Sequence, residues 1–270
     1  MKAAAAKETI DDLVRLGMAV PSKSPFASAI VLVSKKDGTY RMCIDYRKLN
    51  AITKKDAFPI PRIDDSIEKL GAAKYFTSLD LTSGFWQIPL TERAKEKTAF
   101  VSAGGLFEMT RMPFGLCNAT ATFQRMMSKA LGRISNKYGN LVLCYIDDIL
   151  VATRTVQEHL ERLREVFDCL RNAGLKIKAS KCQFFETEIK FLGRIISDGQ
   201  IYPDYEAVKP VLEWQAPRNI AQVQSFLGFA GYYRDFIKGY AELVSPLTAL
   251  LKKDVEWKWT PECNDAPWKI

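Results

Sequence analysis

Residues Leu141–Thr153, reading LVLCYIDDILVAT, constrain this chain more than any other stretch. Six largely apolar residues, Leu141 to Ile146, precede Asp147 and Asp148, and Ile149 to Ala152 follow. Short runs of this kind, divided by two turn-tolerant residues, predict a buried β-hairpin with the acids at its tip. The acids are then either the polar turn alone or part of a metal site. A two-residue hairpin turn prefers Asn-Gly or Asp-Gly, and adjacent like charges repel unless a cation lies between them. A carboxylate-bound divalent metal needs a further acid from elsewhere.

Asp80 supplies that acid. The strand expected over Ala73–Leu81 ends on it between Leu79 and Leu81, where an unpaired carboxylate is costly to bury. Two strands about sixty residues apart thus bring an acid and an acid pair to one sheet edge. Such a cluster can hold two Mg²⁺ ions roughly 3.5–4 Å apart, the arrangement used for phosphoryl transfer. A net charge of +8 favours a polyanionic partner. Six cysteines without CxxC spacing suit free thiols in a reducing compartment. His159, the only histidine, is expected on the surface of a helix, which argues against zinc hydrolase and His-based triad chemistry. No membrane-length apolar run or secretory signal is present, so the expectation is an intracellular protein (cytoplasm, virus-like particle or nucleus) with no membrane partner.

The remaining punctuation predicts an α+β chain, an antiparallel sheet with helices packed on one face. Ala3–Leu16 reads as a helix stopped by Gly17. Ala29–Ser34 and Tyr40–Asp45 read as strands joined across Lys36-Asp37-Gly38-Thr39, a turn that carries Lys35, Lys36 and Arg41. That basic hairpin is either a solvated face or an anion dock. A helix over Ile63–Leu70 and a hairpin of Lys97–Ser102 with Leu106–Met112 follow. A helix over Ala119–Leu131 has Asn118 as its expected cap. Val156, Leu160, Leu163, Phe167 and Leu170 form an amphipathic stripe ended by Gly174. Helices capped by Asp204 and Asn219 are expected over Asp204–Trp214 and Ile220–Ala230.

Nine strings in one order carry a family resemblance: RMCIDYRKLN (41–50), FTSLDLTSGFWQIPL (76–90), KTAF (97–100), FEMTRMPFGLCNATATFQ (107–124), YIDD (145–148), GLKIKASKC (174–182), FLG (191–193), SFLGFAGYYRDFI (225–237) and SPLTALL (245–251). The chain resembles the reverse transcriptase of gypsy-like LTR retrotransposons, with retroviral enzymes as more distant relatives. The resemblance implies a right-hand polymerase of fingers (1–75 and, with palm, 101–125), palm (76–100 and 126–195), thumb (196–244) and the start of a connection segment (245–270). Asp80, Asp147 and Asp148 would bind metal, with the Leu81 carbonyl as an extra ligand. Lys35 and Arg41 would grip the nucleotide triphosphate. Phe85 would be the steric gate beside the ribose 2′ position, and Phe114 and Gln124 would flank the nascent base pair. Lys181 would protonate the leaving pyrophosphate. Phe191, Leu192 and Gly193, with Tyr145 and Ile146, would hold the primer terminus. Tyr232, Tyr233 and Arg234 either touch the duplex or pack in the thumb core.

The implied activity is RNA- and DNA-templated DNA synthesis from a primer 3′-OH, with deoxynucleotides, two Mg²⁺ ions and Mn²⁺ as a substitute. The alternative is a domesticated or decayed copy that binds nucleic acid or a protein without polymerising. An RNA-templated RNA polymerase shares the palm logic, but Phe85 would exclude its substrates. Thr120 replaces the proline common in the family, Phe114 stands where retroviral relatives carry Gln, and ISDGQIYPD (196–204) is slightly irregular against the family hairpin. Pro267 predicts a broken connection helix or a trimmed chain, and the alanine-rich start an abbreviated N-terminus. No protease, RNase H or integrase motif is present, so those activities are expected to be absent or supplied by another polypeptide, such as RNase H or integrase portions of a polyprotein.

Overall fold

The computed structural model describes residues 2–34, 38–61, 70, 73–138, 141–197, 199–253, 255 and 257–264. Lys35, Lys36 and Asp37, most of the helix expected over Ile63–Leu70, and Pro267 lie outside the described residues. The chain divides into two compact units, Met1–Glu186 and Thr187–Ile270.

The first unit holds two sheets. One has the order β1-β6-β5-β2-β3, from β1 (Ala19–Pro21), β2 (Ser28–Ser34), β3 (Tyr40–Ile44), β5 (Phe100–Ser102) and β6 (Gly105–Met109). The helix Lys2–Arg15 ends before Gly17, whose φ of +67° suits a residue without Cβ. Ile10 and Leu13 of that helix are buried with Ala19, Phe100 and Met109. The strand expected from Lys97 begins only at Phe100. Thr98 Oγ1 donates to the Lys95 carbonyl at 2.6 Å and accepts from Met109 N–H at 3.0 Å, which holds Glu96–Thr98 in a 3₁₀ turn.

The second sheet has the order β7-β8-β4-β9, all antiparallel, from β4 (Tyr75–Asp80), β7 (Val142–Tyr145), β8 (Asp148–Thr153) and β9 (Gln183–Glu186). Leu79 and Leu81, with Ile149 and Val151, join the core formed with helices Ala119–Lys137 and Val156–Asn172. Alternation along β4 and β8 therefore turns Asp80 and Asp148 to the opposite face. Ile149 to Ala152 are all completely buried, so this hairpin has almost no freedom to slip register.

Three local expectations need correction. Asn118 does not cap its helix; its side chain instead accepts from Asp56 N–H at 3.0 Å and donates to the Lys54 carbonyl at 2.9 Å. The buried stripe of Val156–Asn172 is His159, Arg162, Leu163, Val166 and Leu170, while Val156 and Leu160 are exposed. Counting apolar residues missed it because two polar side chains lie inside, each with partners. Arg162 donates to the Ala152 carbonyl at 2.7 Å and lies 4.4 Å from the centre of the Tyr138 ring. His159 is not a surface residue. It is completely buried, with Nε2 2.7 Å from Thr77 Oγ1, Nδ1 2.8 Å from Thr153 Oγ1, and its ring 4.7 Å from that of Phe185.

In the second unit, β10 (Glu188–Phe191), β11 (Arg194–Ser197) and β12 (Gln200–Pro203) form an antiparallel meander. Helices Tyr205–Leu212, Ile220–Ala230 and Tyr240–Ala249 follow. The first two are capped as expected: Asp204 accepts from Glu206 N–H and Asn219 from Gln222 N–H. Val211, Val223, Phe226, Leu247 and Cys263 form their core. All six cysteines are free, and no described helix is long and apolar enough to cross a membrane.

Burial, and then the charge of Arg162, lowers the His159 pKa from 6.5 to about 4. The folded chain keeps the ring neutral, whereas the unfolded chain takes up a proton below about pH 6.5. The stability due to His159 is complete above that pH and falls away toward pH 4. Denaturant midpoints should therefore drop between pH 7 and pH 5, by about 2 kcal/mol in unfolding free energy. His159→Gln should flatten that slope, and an unchanged slope would assign it to other groups.

Candidate active site

The three acids predicted from the sequence lie together. Asp80 and Asp148 are direct cross-strand partners at the ends of β4 and β8, and Asp148 also pairs with Tyr145 of β7. The two-residue turn is Ile146–Asp147, one position earlier than expected: Asp148 is the first residue of β8 and not a tip residue. The reason is that Asp148 is taken into the ladder by two neighbouring strands, which leaves only Asp147 in the turn. Like charges directly opposite on a sheet repel. Accordingly the Asp148 carboxyl is held above its usual pKa, first by burial and then by the charges of Asp147 and Asp80, against the opposing pull of Lys181. Burial, and then the charges of Asp147 and Asp148, push the neighbouring Cys144 thiol up to about 12.

Lys181 reaches this edge from the short turn Ala179–Lys181, with Nζ 3.3 Å from Asp80 Oδ2. That turn is anchored by an isolated antiparallel bridge between Leu81 and Ile177. Its bonds run from Lys178 N–H to the Asp80 carbonyl at 2.8 Å and from Thr82 N–H to the Lys176 carbonyl at 3.0 Å. In this pattern Leu81 does not use its own carbonyl in the bridge. Gln87, to which the sequence assigned no role, knits the same place: Nε2 donates to the carbonyls of Thr82 and Lys176, and Oε1 accepts from Lys176 N–H. Only its position in the WQIPL string distinguished it.

Phe85 follows Asp80 across a turn in which Ser83 has φ +46°. Its ring is half-buried, 5.4 Å from the buried Phe123 ring and 5.2 Å from that of Phe114, which is 56% exposed. A Cβ on Gly84 would stand 2.8 Å from the Phe123 ring and 3.5 Å from Asp147 Cβ, so the backbone here passes close beneath the acids. The Phe114 loop is fastened by Asn50, which donates to the Gly115 carbonyl at 2.7 Å and accepts from Cys117 N–H at 2.9 Å. Arg41 is exposed on β3, opposite Val33. Gln124 is 2% exposed and hydrogen-bonded to the hairpin backbone, so its amide is not free to face a base pair. Lys35 lies outside the described residues.

The expected primer hairpin belongs to the second unit. Phe191 is buried; Leu192 and Gly193 form the turn between β10 and β11, both at positive φ, +50° and +73°. Two left-handed residues make the tight turn that suits strand twist, but leucine is disfavoured there. Tyr232 donates to the Leu192 carbonyl at 2.6 Å, and Asp204 N–H donates to that of Gly193 at 3.0 Å. A Cβ on Gly193 would lie 3.0 Å from the Tyr233 hydroxyl, and Tyr233 is buried. Tyr232 and Tyr233 thus shape the hairpin.

Among the described residues, no three His, Cys, Asp or Glu side chains close into a ready metal cage. The donor set still fits divalent cations in an open edge site: hard oxygen ligands on adjacent strands, with like charges unbalanced except for one ammonium.

The profile of the reverse transcriptase (RNA-dependent DNA polymerase) family matches residues 33–196. The chain is 41% identical over 249 residues to the retrovirus-related Pol polyprotein from transposon 297 of Drosophila melanogaster, covering 90% of this chain and 23% of that protein. It is 37% identical over 265 residues to the transposon Tf2-3 polyprotein of Schizosaccharomyces pombe, covering 98% of this chain and 20% of that protein. Among solved structures it resembles the foamy viral protease–reverse transcriptase dRH in complex with double-stranded DNA, with a TM-score of 0.83 and 30% identity over 97% of this chain and 46% of that one. The same viral protein in complex with RNA/DNA hybrid gives a TM-score of 0.80 at 30% identity, covering 97% of this chain and 35% of that one. The chain spans about a quarter or less of the polyproteins it matches, and the fold is the α+β polymerase fold.

Because Asp148 is charged against its neighbours, ionisation opposes folding above the normal carboxylate pKa, and that cost grows as pH rises through it. Asp148→Asn should therefore raise the melting temperature at pH 7 without divalent metal, by roughly 2–4 °C per 1 kcal/mol relieved. A lower melting temperature would mean that the acids are not in conflict. With the acids at the sheet edge and matched over residues 33–196, the chain belongs to the reverse transcriptase (RNA-dependent DNA polymerase) family.

Proposed function

We propose that the chain extends a primer 3′-OH with deoxynucleotides on an RNA or DNA template. The observation that carries this reading is the Asp80–Asp148 cross-strand pair with Asp147 beside it. Family members generally depend on divalent metal. Asp80, Asp147, Asp148 and the Leu81 carbonyl would hold two Mg²⁺ ions, with Mn²⁺ as a substitute. Bound there, such ions lower the pKa of the attacking hydroxyl and neutralise the leaving pyrophosphate. Lys181, within reach of Asp80, would hold the proton that the pyrophosphate takes, a contribution of about 10²–10⁴-fold. Lys35 and Arg41 would bind the triphosphate, and Phe114 would border the base pair. The turn Leu192–Gly193, with Tyr145 and Ile146, would hold the primer end.

We assign residues 1–75 and part of 101–125 to the fingers, 76–100 and 126–195 to the palm, 196–244 to the thumb and 245–270 to the connection segment. The foamy viral relative is described bound to double-stranded DNA and to RNA/DNA hybrid, which supports duplex nucleic acid as the partner here. The relatives are polyproteins, which supports other polyprotein portions as further partners; we take these to be RNase H and integrase portions, in an intracellular setting.

Asp147→Asn should abolish primer extension and leave duplex binding largely intact, because phosphate contacts lie elsewhere. Extension by that variant would place the chemistry at another site. Phe85→Val should admit ribonucleotides while keeping most deoxynucleotide incorporation. Excluding an unpaired hydroxyl is worth on the order of 1–3 kcal/mol, hence at least one or two orders of magnitude in discrimination. Paired kcat/KM values for a ribo- and a deoxynucleotide decide: an unchanged ratio removes Phe85 as the gate.

A further inference from the structure

The turn that carries Asp147 sits in a conformation its own sequence disfavours. Ile146 has φ +58°, an outlier for a β-branched side chain. Such a conformation persists only where the surroundings over-determine it. Here the surroundings are the ladder of β7 with β8, whose two-residue turn calls for positive φ at its first residue, and one buried side chain that bonds to the turn's backbone. Gln124, on the helix Ala119–Lys137, accepts from Ile146 N–H through Oε1 at 2.7 Å and donates from Nε2 to the Cys144 carbonyl at 3.3 Å. The amide therefore brackets the residue before Asp147, and Gln124 itself is 2% exposed. On the other side, Gly84 lets Asp147 Cβ come within 3.5 Å of where a Cβ would be, so Asp147 is confined from two directions.

We propose that Gln124 is a positioning residue for metal binding: it holds Ile146 left-handed and thereby sets the placement of the Asp147 carboxylate relative to Asp80 and Asp148. The proposal rests on the reading of these acids as the metal centre. Without Gln124, the Ile146 N–H loses its acceptor, the left-handed turn keeps only its strand ladder to hold it, and Asp147 is free to shift. A merely structural Gln124 would cost melting temperature and leave the metal response of the folded protein unchanged.

The test uses the whole chain and two variants. Gln124→Met keeps the length of the side chain and removes both bonds. Ile146→Asn places at the turn a residue that tolerates φ near +58° without help. Mn²⁺ binding in the absence of nucleic acid, followed by calorimetry, is the first readout, and the Mg²⁺ concentration for half-maximal primer extension is the second. Gln124→Met should weaken Mn²⁺ binding and raise the Mg²⁺ requirement by about 10–100-fold, the range found when a group that orients a metal ligand is lost. Adding Ile146→Asn should bring both back to within about threefold of Ile146→Asn alone. If Gln124→Met does not fold, Gln124→Asn, an amide one methylene too short to bridge both groups, carries the same expectation. Unchanged Mn²⁺ affinity in the folded variant overturns the positioning role, and so does failure of Ile146→Asn to rescue. If the wild-type chain neither binds Mn²⁺ nor extends a primer, the metal-centre reading falls, and this proposal with it.

Discussion

The pairing of Asp80 with Asp148 across two adjacent strands is the contact the first unit must support. Two carboxylates in direct register repel, and the chain holds them there by making every other position of the pair unable to move. Ile149 to Ala152 and Phe76, Thr77 and Leu79 are completely buried, so shifting either strand by one residue would expose a core face. The acids occupy the last residue of one strand and the first of the other, where the buried run stops. The core thus fixes the position and leaves the electrostatic conflict unresolved except for Lys181, 3.3 Å from Asp80. A fold shaped for stability alone would not leave Asp148 with its pKa raised.

Backbone strain marks the same regions. Among the described residues, four non-glycine residues have positive φ: Ser83, Ile146, Phe185 and Leu192. Ser83 lies between Asp80 and Phe85, Ile146 precedes Asp147, and Leu192 is in the turn that the family resemblance assigns to the primer end. Side chains bond to the backbone of the last two: Gln124 accepts from Ile146 N–H, and Tyr232 donates to the Leu192 carbonyl. Phe185 differs in kind: its ring lies against buried His159, and its N–H donates to Thr77 Oγ1 at 3.2 Å, so its conformation serves the packing of the sheet edge. Strain alone therefore does not identify function; strain next to a chemically active group is the informative case.

The acids were legible because three carboxylates set in apolar runs violate the ordinary economy of a core, and the order of residues along the chain reveals that violation. The hairpin was legible too, since a run of β-branched residues has few other uses. What escaped was always a matter of partners. His159 looks like a surface residue until Thr77 and Thr153, distant in sequence or across a turn, are seen to satisfy both ring nitrogens. Asn118 has the identity of a cap, but the chain at Lys54–Asp56 competes for its amide and wins. Gln124 matched a family string as a residue beside the base pair, and nothing in that string reported its burial or its two bonds to the hairpin backbone. The one-residue shift of the turn has the same origin, because a ladder partner on either side draws Asp148 into the strand. Sequence periodicity reports which residues are apolar, and it cannot report which polar residue has found a partner.

Selection against a hydroxyl by a ring requires that the ring cannot yield. In this fold Phe85 is backed by Phe123, which is completely buried, and its other side meets Phe114 at 5.2 Å. Phe123 is fixed in turn because the Gly84 backbone approaches so closely that a methyl group there would stand 2.8 Å from its ring. The ring therefore cannot retreat toward the core without displacing Phe123, and Phe123 lies beside Gln124, which fastens the turn of Asp147. Softness at Phe123 would reach the proposed sugar pocket and the acids together. That coupling explains why glycine stands at position 84, a helical residue where φ is not positive and conformational freedom is not the reason. The requirement is space, set by the Phe123 ring and the Cβ of Asp147, which must keep their places at once.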